Sequence, residues 1–182
     1  MKLLAYLSGL YFPWLSLYAL IALGLWLLLQ LWHADFTHLL SAWPLLLLAC
    51  NEVIAAAFYG AWHTRLYSRR AQGTQFKYNP SWPKERDVRF MFAQQTRSNV
   101  FWALGSGVPI ASAYMILTLW AQATGIAPLT TWRASPVYCT VLMLALVFFH
   151  AVHFYVFHRL LHVKPIYLRV HYLHHQNINP GP

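Results

Sequence analysis

Four long apolar blocks divide the chain, and polar stretches separate them. The blocks run over residues 10–31, 39–62, 100–121 and 136–158. A helix needs about 20 mostly apolar residues to cross the hydrocarbon core of a bilayer, and each block is long enough. The pattern therefore predicts an all-α fold: an integral membrane bundle of about four transmembrane helices, in a single membrane domain over residues 1–182.

The composition supports a membrane protein. Hydrophobic residues make up 59% of the 182 positions and charged residues only 9%, whereas soluble domains carry about 25% charged residues. This excludes a disordered protein, a disulfide scaffold and an ordinary soluble enzyme. The net charge of +9 does not indicate nucleic-acid binding, because eight of the thirteen lysines and arginines are concentrated in residues 65–97.

The positive charges also predict an orientation. The basic stretch lies in the loop 63–99, whereas the loops 32–38 and 122–135 contain a single basic residue, Arg133. The positive-inside rule places both termini, the loop 63–99 and the histidine motifs after the fourth block on the cytoplasmic side of a bacterial inner membrane or the endoplasmic reticulum. Within the loop, residues 84–97 are predicted to form a short amphipathic helix on the membrane surface.

Histidines are concentrated near the end of the chain, where seven of the ten lie in the region 150–175. Positions i and i+4 of a helix share a face, so residues 158–162 and 171–175 each direct imidazoles to one side. Pro165 is expected to end the first helix near Lys164, after which the chain can fold back and bring the two faces together. Neutral imidazole suits iron, copper, zinc and nickel. The candidate metal ligands are His158, His162, His171, His174 and His175.

Polar residues inside the apolar blocks are further candidates, because an ionisable residue within a span is a functional candidate by default. His150 and His153 lie in the last block. Each either supports the metal site or hydrogen-bonds to a neighbouring helix. Asn51 and Glu52 in the second block are their candidate partners, and for Glu52 a structural bond and a role in the site are weighted equally.

Residues 154–182 (FYVFHRLLHVKPIYLRVHYLHHQNINPGP) resemble the fatty acid hydroxylase/sterol desaturase superfamily of integral-membrane, non-haem di-iron enzymes. The matching features are a Phe-Tyr pair, then His-Arg-x-x-His, a proline, His-x-x-His-His and finally Asn-x-Asn-Pro-x-Pro. The resemblance implies a site with two irons, with the five histidines among its iron ligands. It also implies that Arg159 orients the site by hydrogen bonding and that Asn179 shapes the following loop.

The resemblance implies a reaction and partners. Iron with dioxygen and two external electrons would hydroxylate or desaturate an unactivated C–H bond of a lipid. The expected partners are the lipid substrate and an electron donor such as a cytochrome b5-like protein, a ferredoxin or a flavoprotein reductase.

Two departures from the family pattern lead to further expectations. Family members carry another histidine group downstream, and five ligands are too few for two irons, so the chain is expected to be a fragment that ends before its last histidine motif. Ala151 stands where the family tends to have an acidic residue.

The alternative functions are those of a bis-histidine haem membrane protein, a catalytically inactive lipid-binding relative and a zinc enzyme. The lack of a His-Glu-x-x-His signature argues against a zinc peptidase.

Overall fold

The computed structural model describes residues 8–9, 11–77, 80–172 and 175. Within them every regular element is helical and no strand is present, which confirms the all-α prediction. The α-helices are α1 (Trp14–Leu31), α2 (Trp43–His63), α3 (Gln95–Trp102), α4 (Val108–Ala123), α5 (Pro136–Leu161) and α6 (Lys164–Ile166). A 3-10 turn, Met91–Ala93, precedes α3, and π-helical turns follow α2, α3 and α6 over Thr64–Ser68, Ala103–Gly107 and Tyr167–His171.

Three continuous helical stretches are long and apolar enough to cross a membrane: Trp43–Ser68, Gln95–Ala123 and Pro136–Leu161. They match the second, third and fourth apolar blocks. In the first block the apolar helix covers Leu15–Leu31 and is shorter. Few side chains of the three long stretches are buried, an arrangement that lipid tolerates and water does not. These features are those of a membrane protein.

The boundaries of α2 and α3 differ from the apolar blocks. The segment before α2 is a series of turns, because Asp35 accepts hydrogen bonds from the backbone N–H and the hydroxyl of Thr37 (2.9 and 2.6 Å). Helix α2 therefore begins at Trp43, and its helical stretch continues to Ser68, beyond the predicted end of the span at residue 62. The third stretch begins earlier than predicted, at Gln95.

The chain divides into two compact units. The first contains the described residues up to Cys50 together with Tyr114–Val152. Its core consists of Leu25, Leu29, Trp43 and Leu47, all nearly excluded from the surface. Phe36, from the connection between α1 and α2, packs edge-to-face against Trp43 with ring centroids 5.1 Å apart. The connection thus completes the core.

The second unit contains Asn51–Ala113 and the described residues from His153 onward. Asn51 on α2 donates a hydrogen bond from its Nδ2 to the hydroxyl of Ser112 on α4 (2.9 Å), and Ser112 is almost fully buried. A polar pair between apolar helices fixes their register. This bond gives Asn51 a structural role.

The prediction of an amphipathic helix over residues 84–97 is wrong. The chain instead reverses direction, with Lys84 and Gln95 joined by two hydrogen bonds of 2.9 and 3.0 Å and with an isolated bridge between Glu85 and Gln94. The Asp87 carboxylate binds the Arg89 guanidinium at 2.6 Å, and these hydrogen bonds lower the pKa of Asp87 to about 2. Hydrogen bonds between the two ends of the segment and a local ion pair replace the helical hydrogen bonds.

Candidate metal centre

The first pair of histidines lies where α5 ends. His158 is in the last turn of α5, and His162 follows the last residue of the helix, Leu161. The i, i+4 spacing places both rings on one face. Their Nε2 atoms are 3.2 Å apart. Helical geometry alone accounts for this pair, as the sequence predicts.

A sharp turn separates the two histidine groups. Helix α5 ends at Leu161, and Val163 is extended, with φ −64° and ψ 124°. The prediction that Pro165 ends α5 is wrong, because Pro165 lies in the first turn of α6. Proline is favoured there, because the first N–H groups of a helix have no partner within the helix. The reversal therefore occurs before the proline.

In the second group of histidines, His171 is the last residue of a π-helical turn over Tyr167–His171, and His175 lies beyond that turn. Such turns widen a helix locally and are frequent at functional sites. His171 is buried, with 5% of its surface exposed, and His175 is half-buried. The Nε2 atoms of both rings are buried.

Four imidazoles converge in this second unit. One ligand nitrogen from each of His158, His162, His171 and His175 lies within 4.8 Å of the others. Ring centroids across the turn are 4.7 Å apart for His158 and His171, and 4.8 Å apart for His162 and His175. With metal–nitrogen bonds of about 2.0–2.1 Å, nitrogens around one ion lie about 3–4 Å apart. The donor set therefore fits one metal ion after small adjustments.

The surroundings of His162 favour the neutral imidazole. Loss of hydration around the ring lowers the pKa of His162, and positive charge on His175 and His158 lowers it further. A metal binds the deprotonated ring nitrogen. The lowered pKa of His162 therefore favours the protonation state that a metal needs.

Two of the predicted site residues, His174 and Asn179, lie outside the described residues. Arg159 donates a hydrogen bond of 2.8 Å from its Nη1 to the hydroxyl of Tyr155, one turn earlier on α5. The Arg159 guanidinium therefore bonds to a residue of its own helix, whereas the family resemblance implied that it orients the histidine site.

The candidate residues inside the apolar blocks are not members of the histidine cluster. His153 packs on Phe157 with ring centroids 4.3 Å apart, and His150 lies on the part of α5 that belongs to the first unit. Glu52 is half-buried on α2. Of the described residues, the metal-sized cluster includes only the four histidines named above.

Tyr167 is the site residue that sequence reasoning missed. Its ring stacks on His162 at 5.8 Å with an interplanar angle of 23°, and it lies 6.1 Å from His171 and 5.5 Å from His175. The available signal was its spacing, since residues 167, 171 and 175 are four apart. The Tyr167 ring therefore packs beside three of the four imidazoles.

We expect Tyr167→Ala to weaken metal binding and Tyr167→Phe to preserve it. The alanine variant removes the ring that holds three imidazoles in place, and loss of such support typically costs 10–100-fold in metal affinity. Competition with a chromogenic chelator measures the effect. Equal affinities for the alanine variant and the unmodified chain would contradict this role.

Comparison of the chain with protein-family models, with curated proteins and with solved structures finds no match. The function must therefore be argued from the site itself.

Proposed function

We propose that this protein is a membrane-bound, non-haem iron enzyme that hydroxylates or desaturates a C–H bond of a lipid. The observation that carries the proposal is the convergence of four imidazoles at the end of α5, a helix long and apolar enough to cross a membrane. A lipid chain in the bilayer and a metal bound by these residues would then lie close together.

The donor set favours a metal that leaves room for a reaction. Imidazole suits iron, zinc and copper, and structural zinc sites usually include thiolates. Both cysteines of the chain, Cys50 and Cys139, belong to the first unit and not to the histidine cluster. The four described imidazoles suffice for one ion. The second iron that the family resemblance implies requires more donors, and His174 is one candidate.

Bound iron supplies the activation of dioxygen, and the overall hydroxylation is RH + O₂ + 2e⁻ + 2H⁺ → ROH + H₂O. The protein's own residues have simpler tasks in the proposal. The four imidazoles hold the ion. The exposed ring of Phe154 stacks on His158 with centroids 5.3 Å apart and provides an apolar surface against which an acyl or sterol chain packs.

The proposal includes four spans, with α1 as the shortest, and histidines on the cytoplasmic side. The basic segment between α2 and α3 supports this orientation by the positive-inside rule. A soluble electron donor, either a ferredoxin, a cytochrome b5-like protein or a flavoprotein reductase, would then reach the site from the cytoplasm.

The experiment that tests the proposal combines metal analysis with product analysis. We expect the detergent-purified chain to contain iron without a Soret band. We also expect it, when supplied with dioxygen and a reducing system, to convert a fraction of a lipid extract to products heavier by one oxygen or lighter by two hydrogens. Mass spectrometry detects both, and ¹⁸O₂ labels the hydroxylated product.

The control is the same preparation without reductant. A Soret band would identify a haem protein instead. Stoichiometric zinc that iron does not displace, with no oxidised lipid, would also contradict the proposal.

A further inference from the structure

A second site lies in the second unit, between the end of the α2 helical stretch and the segment that leads into α3. The cavity there has a volume of about 190 Å³. One buried water occupies roughly 10–15 Å³ counted in the same way, so the cavity accommodates a group the size of a phosphate with several waters. Its lining includes Ser68, Arg70, Trp82, Lys84 and Thr96.

Positive charge is concentrated around this cavity. The Arg70 guanidinium lies 4.5 Å from the centre of the Trp82 ring, and the Lys77 ammonium lies 4.0 Å from the same ring. Lys77 also donates a hydrogen bond to the carbonyl of Ser81. Two cations therefore lie close to one indole, and their positive charge attracts an anion.

Nearby carboxylates offset only part of this charge. Asp87 pairs with Arg89 and lies 3.9 Å from the Lys84 ammonium. Glu85 lines the cavity but is exposed to solvent. Within the described part of the chain, no carboxylate forms an ion pair with Arg70. The lining therefore keeps a net positive charge.

The arrangement of donors favours a phosphate group. A guanidinium stacked on an aromatic face keeps its N–H edge available for oxyanions. Ser68 and Thr96, which carry hydroxyls, and Lys84, which carries an ammonium, line the cavity from the turn after α2, from α3 and from the segment before α3. Donors on several sides suit a tetrahedral oxyanion better than a flat carboxylate, and charge-assisted bonds of this kind are the strong ones.

We propose that this cavity binds the phosphate of a phosphate ester, supplied either by a phospholipid headgroup or by a soluble metabolite. Its position supports the headgroup, because His63, which ends α2, and Tyr67 also line the cavity. The cavity thus lies at the end of a helical stretch long and apolar enough to cross a membrane, the level at which headgroups lie. The proposal does not depend on the metal centre.

The test measures dissociation constants by calorimetry in detergent, with the whole chain and three probes: dihexanoyl phosphatidic acid, glycerol 3-phosphate and hexanoate. We expect both phosphate esters to bind, and hexanoate to bind at least tenfold more weakly. Tighter binding of the phosphatidic acid would identify the lipid headgroup as the source, whereas equal binding of the two esters would identify a soluble ester.

Two variants with the same change of charge make the test specific to the cavity. We expect Arg70→Gln to weaken phosphate binding about tenfold or more, and its neighbour Arg69→Gln, which does not line the cavity, to change it less than about twofold. We also expect Glu85→Gln to tighten binding. Equal losses for the two arginine variants, or equal binding of hexanoate and the esters, would overturn the proposal.

Discussion

The His171→Ala variant is expected to lose bound metal while its helices stay inserted in the membrane. His171 is the most buried of the four clustered imidazoles, and its ring lies within 5 Å of the other three by centroid distance. Alanine removes a donor at the centre of the set, and no other side chain of the described cluster replaces it. The loss should exceed the 10–100-fold that removal of a supporting hydrogen bond costs.

Metal content per chain, measured after dialysis against a weak chelator, tests this expectation. His162→Ala should behave in the same way, because its Nε2 lies 3.2 Å from that of His158. The matched control is His38→Ala, an exposed histidine in the turn before α2. Full metal content in the His171 variant would show that this cluster is not the metal site, whatever metal the chain contains.

The second large effect is expected from Trp43→Ala, which should destabilise the first unit by about 3–5 kcal/mol. Only 3% of the Trp43 surface is exposed, and its Nε1 donates a hydrogen bond of 3.0 Å to the carbonyl of His38. Alanine leaves a cavity among Leu25, Leu29 and Leu47 and removes the donor from that carbonyl. The free energy lost in the variant comes from packing and hydrogen bonding, which also stabilise helices in lipid.

Unfolding of the detergent-solubilised protein by increasing denaturant measures this change. Trp132→Ala is the matched control, because Trp132 also belongs to the first unit but is 56% exposed. The control should shift the unfolding free energy by no more than about 0.5 kcal/mol. Similar losses for both variants would contradict the role of Trp43 as a core residue.

Local pattern was sufficient for the parts of the fold that depend on short-range geometry. Apolar length located three helical stretches that are long and apolar enough to cross a membrane, and the i, i+4 spacing placed His158 and His162 side by side. The pattern of apolar residues led to a wrong prediction at residues 84–97, where it suggested a helix. There, pairing between Lys84 and Gln95, eleven positions apart, determines the backbone, and helical periodicity carries no information about such pairing.

The histidine cluster also combines features that follow from the local sequence with features that depend on tertiary contacts. The sequence by itself determined the residue types of the histidine cluster and the face that each histidine pair occupies, because side-chain direction along a helix follows from its fixed turn. The tertiary structure decided that the two pairs meet, that Tyr167 packs beside them and that Arg70 and Lys84 line one cavity. Those contacts depend on where the chain reverses, at Val163 and in the segment before α3, and helical periodicity carries no information about the position of a reversal.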